Sequence, residues 1–210
     1  MIVYDTDTQK DFMNVDGALY VDGAETIVGA ISKVMETAHK NDILVIGSVD
    51  AHPIDDKEFE TFPPHCVVDT EGQEKIPETL IHNDSFIYTV PNTGNGLDMY
   101  VADGCGQIYF EKQTYNIWDK ALGQPDNLQT ILRSADVKDV YMIGVASNVC
   151  VIAAIEGFVE RKYKVHVITD AIKGLTISED NNEDTATDRM IELGVDFITS
   201  DEFEIFCKGE

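Results

Sequence analysis

Basic residues are scarce in this chain. Lysine and arginine number 15 against 39 aspartates and glutamates, which gives 210 residues a formal net charge of -24. Such a charge repels phosphate backbones and anionic lipid headgroups, so we expect neither nucleic acid nor a membrane as partner. The acidic residues are scattered, which favours a solvated surface over an acidic interaction face. Halophilic adaptation or another solubility requirement is an alternative origin.

Long apolar runs and paired cysteines are also missing. No apolar stretch approaches the ~18 residues of a membrane span, and the N-terminus enters a strand-like segment without a basic region. No CxxC spacing signals a zinc knuckle or a redox pair. The four cysteines are Cys66, Cys105, Cys150 and Cys207. The sequence therefore predicts a soluble, cytoplasmic protein in a reducing compartment.

Proline is infrequent, and nothing in the chain is typical of disorder. The 6 prolines accompany 43% hydrophobic and 26% charged residues, a globular composition. No internal repeat, low-complexity tract or linker divides the sequence. We predict one domain over residues 1–210, large enough to bury a core without disulfides.

Short apolar runs alternate with segments of helical periodicity. Continuous apolar runs are typical of parallel strands covered on both faces. The predicted strands are residues 2–4, 43–48, 85–90, 108–110, 140–145, 165–169 and 195–199. The predicted helices are residues 23–40, 148–161 and 185–193, the last closed by Gly194. This alternation predicts an α/β fold, a three-layer αβα arrangement around a mostly parallel central sheet.

In such sheets functional groups gather in the loops at the carboxyl ends of strands. The segment of residues 144–151 leaves a predicted strand and enters a helix, with Cys150 near the helix start. Free amides and the helix dipole there lower a thiol pKa, and the amides of Ala146 and Cys150 are placed to receive an oxyanion. Taken alone, such a cysteine is more often a small buried hydrophobic residue.

Two charged residues follow other strands and are candidates for the same site. Asp7 comes just after the first strand, where a carboxylate can carry a proton for a thiol, or simply cap a loop. Lys112 follows the strand of residues 108–110, where it is either an ordinary surface lysine or a charge that favours a thiolate and an oxyanion.

The loop after the second strand carries candidate metal ligands. Carboxylate and imidazole donors with an open position suit zinc, manganese or iron, and three prolines stiffen this loop. The candidates are Asp50, His52, Glu58 and His65, with Glu60 and Asp56 as rivals of Glu58. A chance grouping in an acidic protein is the alternative, and Cys66 is interpreted as structural.

Together these residues resemble the isochorismatase-like cysteine hydrolases, and among them the nicotinamidases and pyrazinamidases, over almost the whole chain. The matching motifs are residues 7–12 (DTQKDF), 17–19 (GAL), 50–53 (DAHP), 62–67 (FPPHCV), 112–115 (KQTY), 144–151 (GVASNVCV) and 170–171 (DA). The resemblance implies a catalytic triad of Asp7, Lys112 and Cys150, an oxyanion hole at Ala146 and Cys150, and a cis peptide between Val145 and Ala146.

Three departures from the family pattern bear on specificity. Glu58 stands where a second loop histidine is common, Ser147-Asn148 replaces the usual Thr-Asp, and residues 115–118 read YNIW in place of Tyr-Ser-x-Phe. Aromatic side chains are expected to hold a substrate ring, each with core packing as its alternative. The candidates are Phe12, Phe62, Tyr115 and Trp118.

The resemblance implies a homo-oligomeric enzyme of NAD salvage that holds one divalent metal ion, preferably zinc, with manganese or iron as alternatives. It would hydrolyse nicotinamide or pyrazinamide to the acid and ammonia through a thioester. One rival function is hydrolysis of a linear amide such as maleamate or an N-carbamoyl or ureido compound. The other is a catalytically silent metal-binding or scaffold protein. Isochorismate hydrolysis is disfavoured because cleavage of an enol ether needs no thiol.

Overall fold

The computed structural model describes residues 1–80, 87–91, 106–119 and 126–209; Cys105 and the first two residues of the predicted strand 85–90 lie outside these ranges. The strands are β1 (Ile2–Thr6), β2 (Val45–Asp50), β3 (Ile87–Pro91), β4 (Gln107–Lys112), β5 (Asp139–Val145), β6 (Lys164–Lys173) and β7 (Asp196–Ile198). They form one sheet in the order β3-β4-β2-β1-β5-β6-β7, and every neighbouring pair runs parallel. The predicted α/β fold is confirmed.

Helices connect most of these strands. They are α1 (Lys10–Met13), α2 (Val28–Lys40), α3 (Asp126–Ser134), α4 (Ile152–Glu160), α5 (Glu183–Glu192) and α6 (Ser200–Lys208). A 3-10 turn, Ala24–Ile27, precedes α2, and a π-helical turn, Ser147–Val151, precedes α4. The predicted helix of residues 148–161 therefore begins as a π turn, and α3 and α6 were not predicted. No described helix has both the length and the apolar character needed to span a membrane.

The sheet separates two hydrophobic cores because successive strand residues point to opposite faces. In β1, Ile2 and Tyr4 belong to one core and Val3 to the other. The first core takes residues from α3, α4 and α5, and the second takes residues from α2 and α6. The predicted three-layer arrangement is thus confirmed, with helices on both faces of the sheet.

Several strands extend farther than the apolar runs predicted. β1 continues to Thr6 and β4 to Lys112, although these ends carry polar side chains that the fold buries. The strand order reverses between β1 and β5, and at such a reversal the loops separate and leave a crevice at the carboxyl ends. The ends of β1, β2, β4 and β5 meet at this crevice.

Candidate active site

Cys150 lies in the π-helical turn that links β5 to α4. The strand before it ends close to β1: Gly144 has φ 110°, and a Cβ atom there would lie 2.0 Å from the carbonyl oxygen of Thr6. Only glycine fits that position. The peptide between Val145 and Ala146 is cis, as the resemblance implied. The carbonyl oxygen of Ala146 then accepts the amides of Val149 and Val151, at 3.0 and 3.1 Å.

Burial raises the pKa of the Cys150 thiol well above its usual value, while the charge of Lys112 acts in the opposite direction. The predicted lowering of this pKa is therefore not found, because desolvation of the thiolate outweighs the charge of Lys112. A neutral buried thiol needs a base beside it before it can attack a carbonyl.

Lys112 connects the thiol to two carboxylates. Its ammonium nitrogen lies 2.8 Å from Oδ2 of Asp7, contacts Oδ1 of Asp50 and lies 3.7 Å from the sulfur of Cys150. The parallel register places Asp50 directly beside Lys112 at the ends of β2 and β4. Burial alone would lower the pKa of Lys112, but Asp50 and Asp7 hold it well above its usual value. The lysine is thus a fixed cation within the site.

Asp7 is held in place from two directions. Its backbone has φ 50°, uncommon for a residue other than glycine, and its amide donates to the carbonyl oxygen of Ser48 at 3.1 Å. The hydroxyl of Ser48 donates to Oδ1 at 2.7 Å, which leaves Oδ2 toward Lys112. Burial raises the pKa of Asp7, opposed by Lys112. A carboxylate with a raised pKa is a stronger base for the thiol proton.

Three of the four predicted metal ligands converge. Donor atoms of Asp50, His52 and His65 all lie within 4.8 Å of one another. Oδ2 of Asp50, the oxygen that faces away from Lys112, is 3.8 Å from Nε2 of His52 and 4.0 Å from Nε2 of His65. Asp50 therefore presents one oxygen to the lysine and the other to the imidazoles.

The outer nitrogen of each imidazole has its own partner. Nδ1 of His52 pairs with Asp56 at 3.0 Å, and Nδ1 of His65 lies 2.9 Å from the carbonyl oxygen of Pro63. Nε2 of His52 is buried without a hydrogen-bond partner in the described part of the chain. A histidine whose Nδ1 is oriented in this way is suited to ligate through Nε2. These donors fit one divalent ion, with an open position for a water or a substrate atom.

The pKa of His52 is consistent with a cation-binding position. Burial lowers it, but the negative charge of Asp50, followed by Asp56 and Glu58, carries it to about 9. The carboxylates that retain a proton on His52 would also attract a metal ion, which displaces that proton when it binds.

Glu58 stands apart from the three converging ligands. Its Oε1 lies 3.9 Å from Nε2 of His65, and its side chain is 26% exposed. Burial raises the pKa of its carboxyl. Its rival Asp56 pairs with His52 and accepts the amide of Glu58, so Asp56 supports the site from outside, and Glu60 is exposed. Ligation by Glu58 stays a prediction.

A cavity opens above Cys150, with Asp50, Glu58 and His65 on one side. Three predicted ring-binding residues line it: Phe12, Phe62 and Tyr115. Aliphatic side chains form the rest of the wall, namely Leu19, Val21, Val145, Ala146, Val149, Leu175 and Ile177. The described lining residues include no arginine or lysine. The cavity is thus mostly apolar, with its polar groups on the thiol and metal side.

Trp118 lies elsewhere, and its predicted role as a ring-binding wall is wrong. Its indole nitrogen donates to the carbonyl oxygen of Ala154 at 3.1 Å, and its ring packs edge-on against Phe158. The guanidinium of Arg161 covers the ring at 4.0 Å. Gly157 leaves room for the indole, since a Cβ atom there would lie 1.9 Å from Cδ1. Trp118 therefore belongs to the core beneath α4.

Two residues of the first motif support the ligand loop, although the sequence analysis assigned no role to them. The side-chain amide of Gln9 accepts the amide of Asp50 at 2.7 Å and donates to the carbonyl oxygen of Asp50 at 2.8 Å. Oδ2 of Asp11 accepts the amide of Cys66 at 2.7 Å, next to His65. The only sign of this role in the sequence was that Gln9 and Asp11 are polar residues in the loop that follows the first predicted strand.

Comparison with known proteins places the chain in a family. The model of the isochorismatase domain matches residues 92–202, more than half of the sequence. The chain belongs to the isochorismatase family.

Its relatives include two curated nicotinamidases. The nicotinamidase of Schizosaccharomyces pombe is 24% identical over 191 residues, covering 83% of each chain. That of Escherichia coli is 26% identical over 191 residues, covering 81% of this chain and 82% of its own. These names agree with the predicted class, a hydrolase of amide carbon–nitrogen bonds.

Solved structures share the fold. The pyrazinamidase of Pyrococcus horikoshii in complex with zinc has a TM-score of 0.73 and 24% identity, covering 94% of this chain and 98% of its own. The N-carbamoylsarcosine amidase of Thermoplasma acidophilum has a TM-score of 0.72 and 23% identity, covering 95% and 96%. Enzymes named for a ring amide and for a linear amide therefore share this fold, and the fold alone does not distinguish their substrates.

Proposed function

We propose that the chain is a metal-dependent cysteine amidohydrolase that converts a neutral ring carboxamide of the nicotinamide kind to the acid and ammonia. One observation carries this proposal: the Cys150 thiol, the Lys112 ammonium and the Asp7 carboxylate form one buried chain of contacts beside an apolar cavity. An unreactive scaffold has no need to bury such charges next to a thiol.

The reaction follows from these positions. Asp7 takes the proton of the Cys150 thiol, and the sulfur attacks the carboxamide carbon. The amides of Ala146 and Cys150 receive the developing oxyanion, and Lys112 offsets the negative charge beside them. Asp7 returns the proton to the leaving amide nitrogen, so ammonia departs and a thioester remains. Asp7 then takes a proton from water, which attacks the thioester, and the acid leaves as the thiol regains the proton.

The metal has a binding role in this scheme. Asp50, His52 and His65 would hold one divalent ion, preferably zinc, and Glu58 would contact it directly or through water. When bound, the ion supplies a Lewis-acid position that orients a ring nitrogen or a water molecule. The chain's own residues carry every proton transfer.

The lining of the cavity favours a neutral ring over a linear acid. Phe12, Phe62 and Tyr115 offer aromatic surface, and the charged lining groups Asp50 and Glu58 are acidic. The ammonium of Lys112 is already held by two carboxylates. The carboxylate of maleamate or of an N-carbamoyl acid would find no free cationic side chain among the described lining residues, and only the bound ion could offset its charge. The compartment and the oligomeric state stay predictions from the sequence.

Ammonia release from a panel of amides tests the proposal. Nicotinamide and pyrazinamide should be hydrolysed before chelation and far more slowly after it, while maleamate and N-carbamoylsarcosine should be poor substrates throughout. Cys150→Ser should abolish release from every member of the panel. Preferential, chelator-insensitive hydrolysis of a linear amide would reject the ring substrate. Full activity of Cys150→Ser would reject the nucleophile.

A further inference from the structure

Asn148, one of the departures from the family pattern, is a buried residue in the π-helical turn two positions before Cys150. It takes no part in the proposed chemistry and does not line the cavity. Its side chain instead contacts the wall segment, which we define as residues 174–182 between β6 and α5. The wall segment supplies two of the aliphatic cavity residues, Leu175 and Ile177.

The Asn148 side chain holds the wall segment at both ends. Its Oδ1 accepts the backbone amide of Leu175 at 2.8 Å, and its Nδ2 donates to Oδ1 of Asn181 at 2.6 Å. The backbone donor at Leu175 fixes which end of the Asn148 amide is oxygen, and this orientation requires Asn181 to present an acceptor. An aspartate at position 148 could accept from Leu175 but could not donate to Asn181.

The wall segment also packs tightly on the nucleophile turn. A Cβ atom at Gly174 would lie 2.2 Å from Oγ of Ser147 and 2.8 Å from Oδ1 of Asn148, so a larger residue would displace these side chains. The far end of the segment is tied to a rigid element, because Asn182 caps α5 in a capping box. Asn148 is therefore the side chain that joins the turn carrying Cys150 to both ends of this segment.

From this geometry we propose that Asn148 is a positioning residue that fixes the apolar wall of Leu175 and Ile177 relative to Cys150 and so limits the size of the group the cavity accepts. The inference deepens the proposed function and rests on it only in taking Cys150 as the reacting thiol. The amide of Gly174 donates to Oε1 of Glu183 at 2.8 Å, a hydrogen bond that does not involve the side chain at position 148. Loss of the Asn148 side chain should therefore loosen the wall without detaching it.

The first measurement is amide hydrogen exchange at Leu175, which needs no activity. Asn148→Ala removes the acceptor of this amide, and exchange should accelerate by about tenfold, the effect of losing one buried hydrogen bond. Asn148→Asp keeps the acceptor and should preserve the protection. Gln129→Ala is the control, because it removes a hydrogen bond of 2.7 Å to Tyr163, away from the cavity. Unchanged exchange at Leu175 in Asn148→Ala would overturn the proposal.

The second measurement compares alkylation of Cys150 by iodoacetamide and by its bulky N-naphthyl derivative. In Asn148→Ala the ratio of the alkylation rate by the naphthyl reagent to the alkylation rate by iodoacetamide should rise about tenfold, while the iodoacetamide rate stays nearly unchanged. If Asn148→Ala does not fold, Asn181→Ala removes one of the two contacts and should move the ratio in the same direction. An unchanged ratio, or an equal rise in Gln129→Ala, contradicts the size limit.

The two arms separate this inference from the proposed function. A thiol that neither reagent modifies in the wild type would contradict both the nucleophile and the size limit, while exchange at Leu175 would still decide whether Asn148 holds the wall. Conversely, if the panel of amides shows that the substrate is linear, the exchange measurement at Leu175 and the alkylation measurement at Cys150 would both still test the role of Asn148.

Discussion

Replacing Lys112 by methionine should reveal how strongly the fold depends on this buried cation. The substitution keeps most of the side-chain volume but leaves the carboxylates of Asp7 and Asp50 buried without the ammonium that contacts both. Breaking a buried charge pair by removing one partner costs about 3–5 kcal/mol. For a protein of this size, this loss lowers the melting temperature by roughly 6–20 °C.

The loss should depend on pH in a defined direction. Burial already raises the pKa of Asp7, and Lys112 opposes that rise, so the variant should raise the pKa further. A carboxyl whose pKa is higher in the folded than in the unfolded state binds more protons when folded. Its unfavourable contribution to the free energy of unfolding therefore grows as the pH rises from the unfolded-state pKa to the folded-state pKa. Lys112→Met should therefore be closer to wild type at pH ~5.5 than at pH ~7.5, with recovery of about 1.4 kcal/mol for each pKa unit.

Urea unfolding at both pH values, in the presence of a chelator, measures this effect. Lys40→Met is the control for loss of one positive charge, because Lys40 is exposed and, among the described residues, pairs only with Glu36 on the same helix. It should change the free energy of unfolding by less than about 0.5 kcal/mol. A destabilisation by Lys112→Met that is the same at both pH values would refute the argument that an unpaired buried carboxylate is its cause.

Three further predictions concern the nucleophile, the ligand support and the core. Cys150→Ala should reduce amide hydrolysis by ~10⁴ or more, while Cys207→Ala retains it, as measured by ammonia release. Asp56→Ala should weaken metal binding by about 10–100-fold because His52 loses the partner of its Nδ1. Competition with a chelator measures this affinity, and an unchanged affinity would contradict the supporting role of Asp56. Trp118→Ala should lower the free energy of unfolding by about 3–5 kcal/mol with little effect on KM, whereas a specific rise in KM would restore its role in the cavity.

The order of elements was readable from the sequence because each buried strand is a continuous apolar run. The helices α3 and α6 were missed although both left signals. Leu128, Ile131 and Leu132 have helical spacing in α3, and Thr199 with Glu202 forms the capping box of α6. The signals are short, and a pattern of two or three residues does not separate a nine-residue helix from a loop.

The site residues that lie at strand ends were predicted from the sequence, whereas the properties that depend on packing between distant parts of the chain were not. Asp7 and Lys112 come just after two predicted apolar strands, so both were expected at the carboxyl edge of the sheet, while their meeting with Cys150 was implied by the family resemblance. The pKa of Cys150 was predicted in the wrong direction because the burial of a thiol depends on every element packed around it. Trp118 was misplaced because its surroundings come from a distant part of the chain: Gly157 in α4 leaves space for the indole, and Arg161, the residue after α4, covers it.

The two oxygens of Asp50 have a consequence for how proteins of this architecture can change. One oxygen contacts Lys112 and the other faces His52 and His65. A descendant that no longer used a metal could lose either histidine and keep its thiol site intact. The same descendant could not discard Asp50, because Lys112 would lose a counter-charge. The aspartate should therefore outlast the metal.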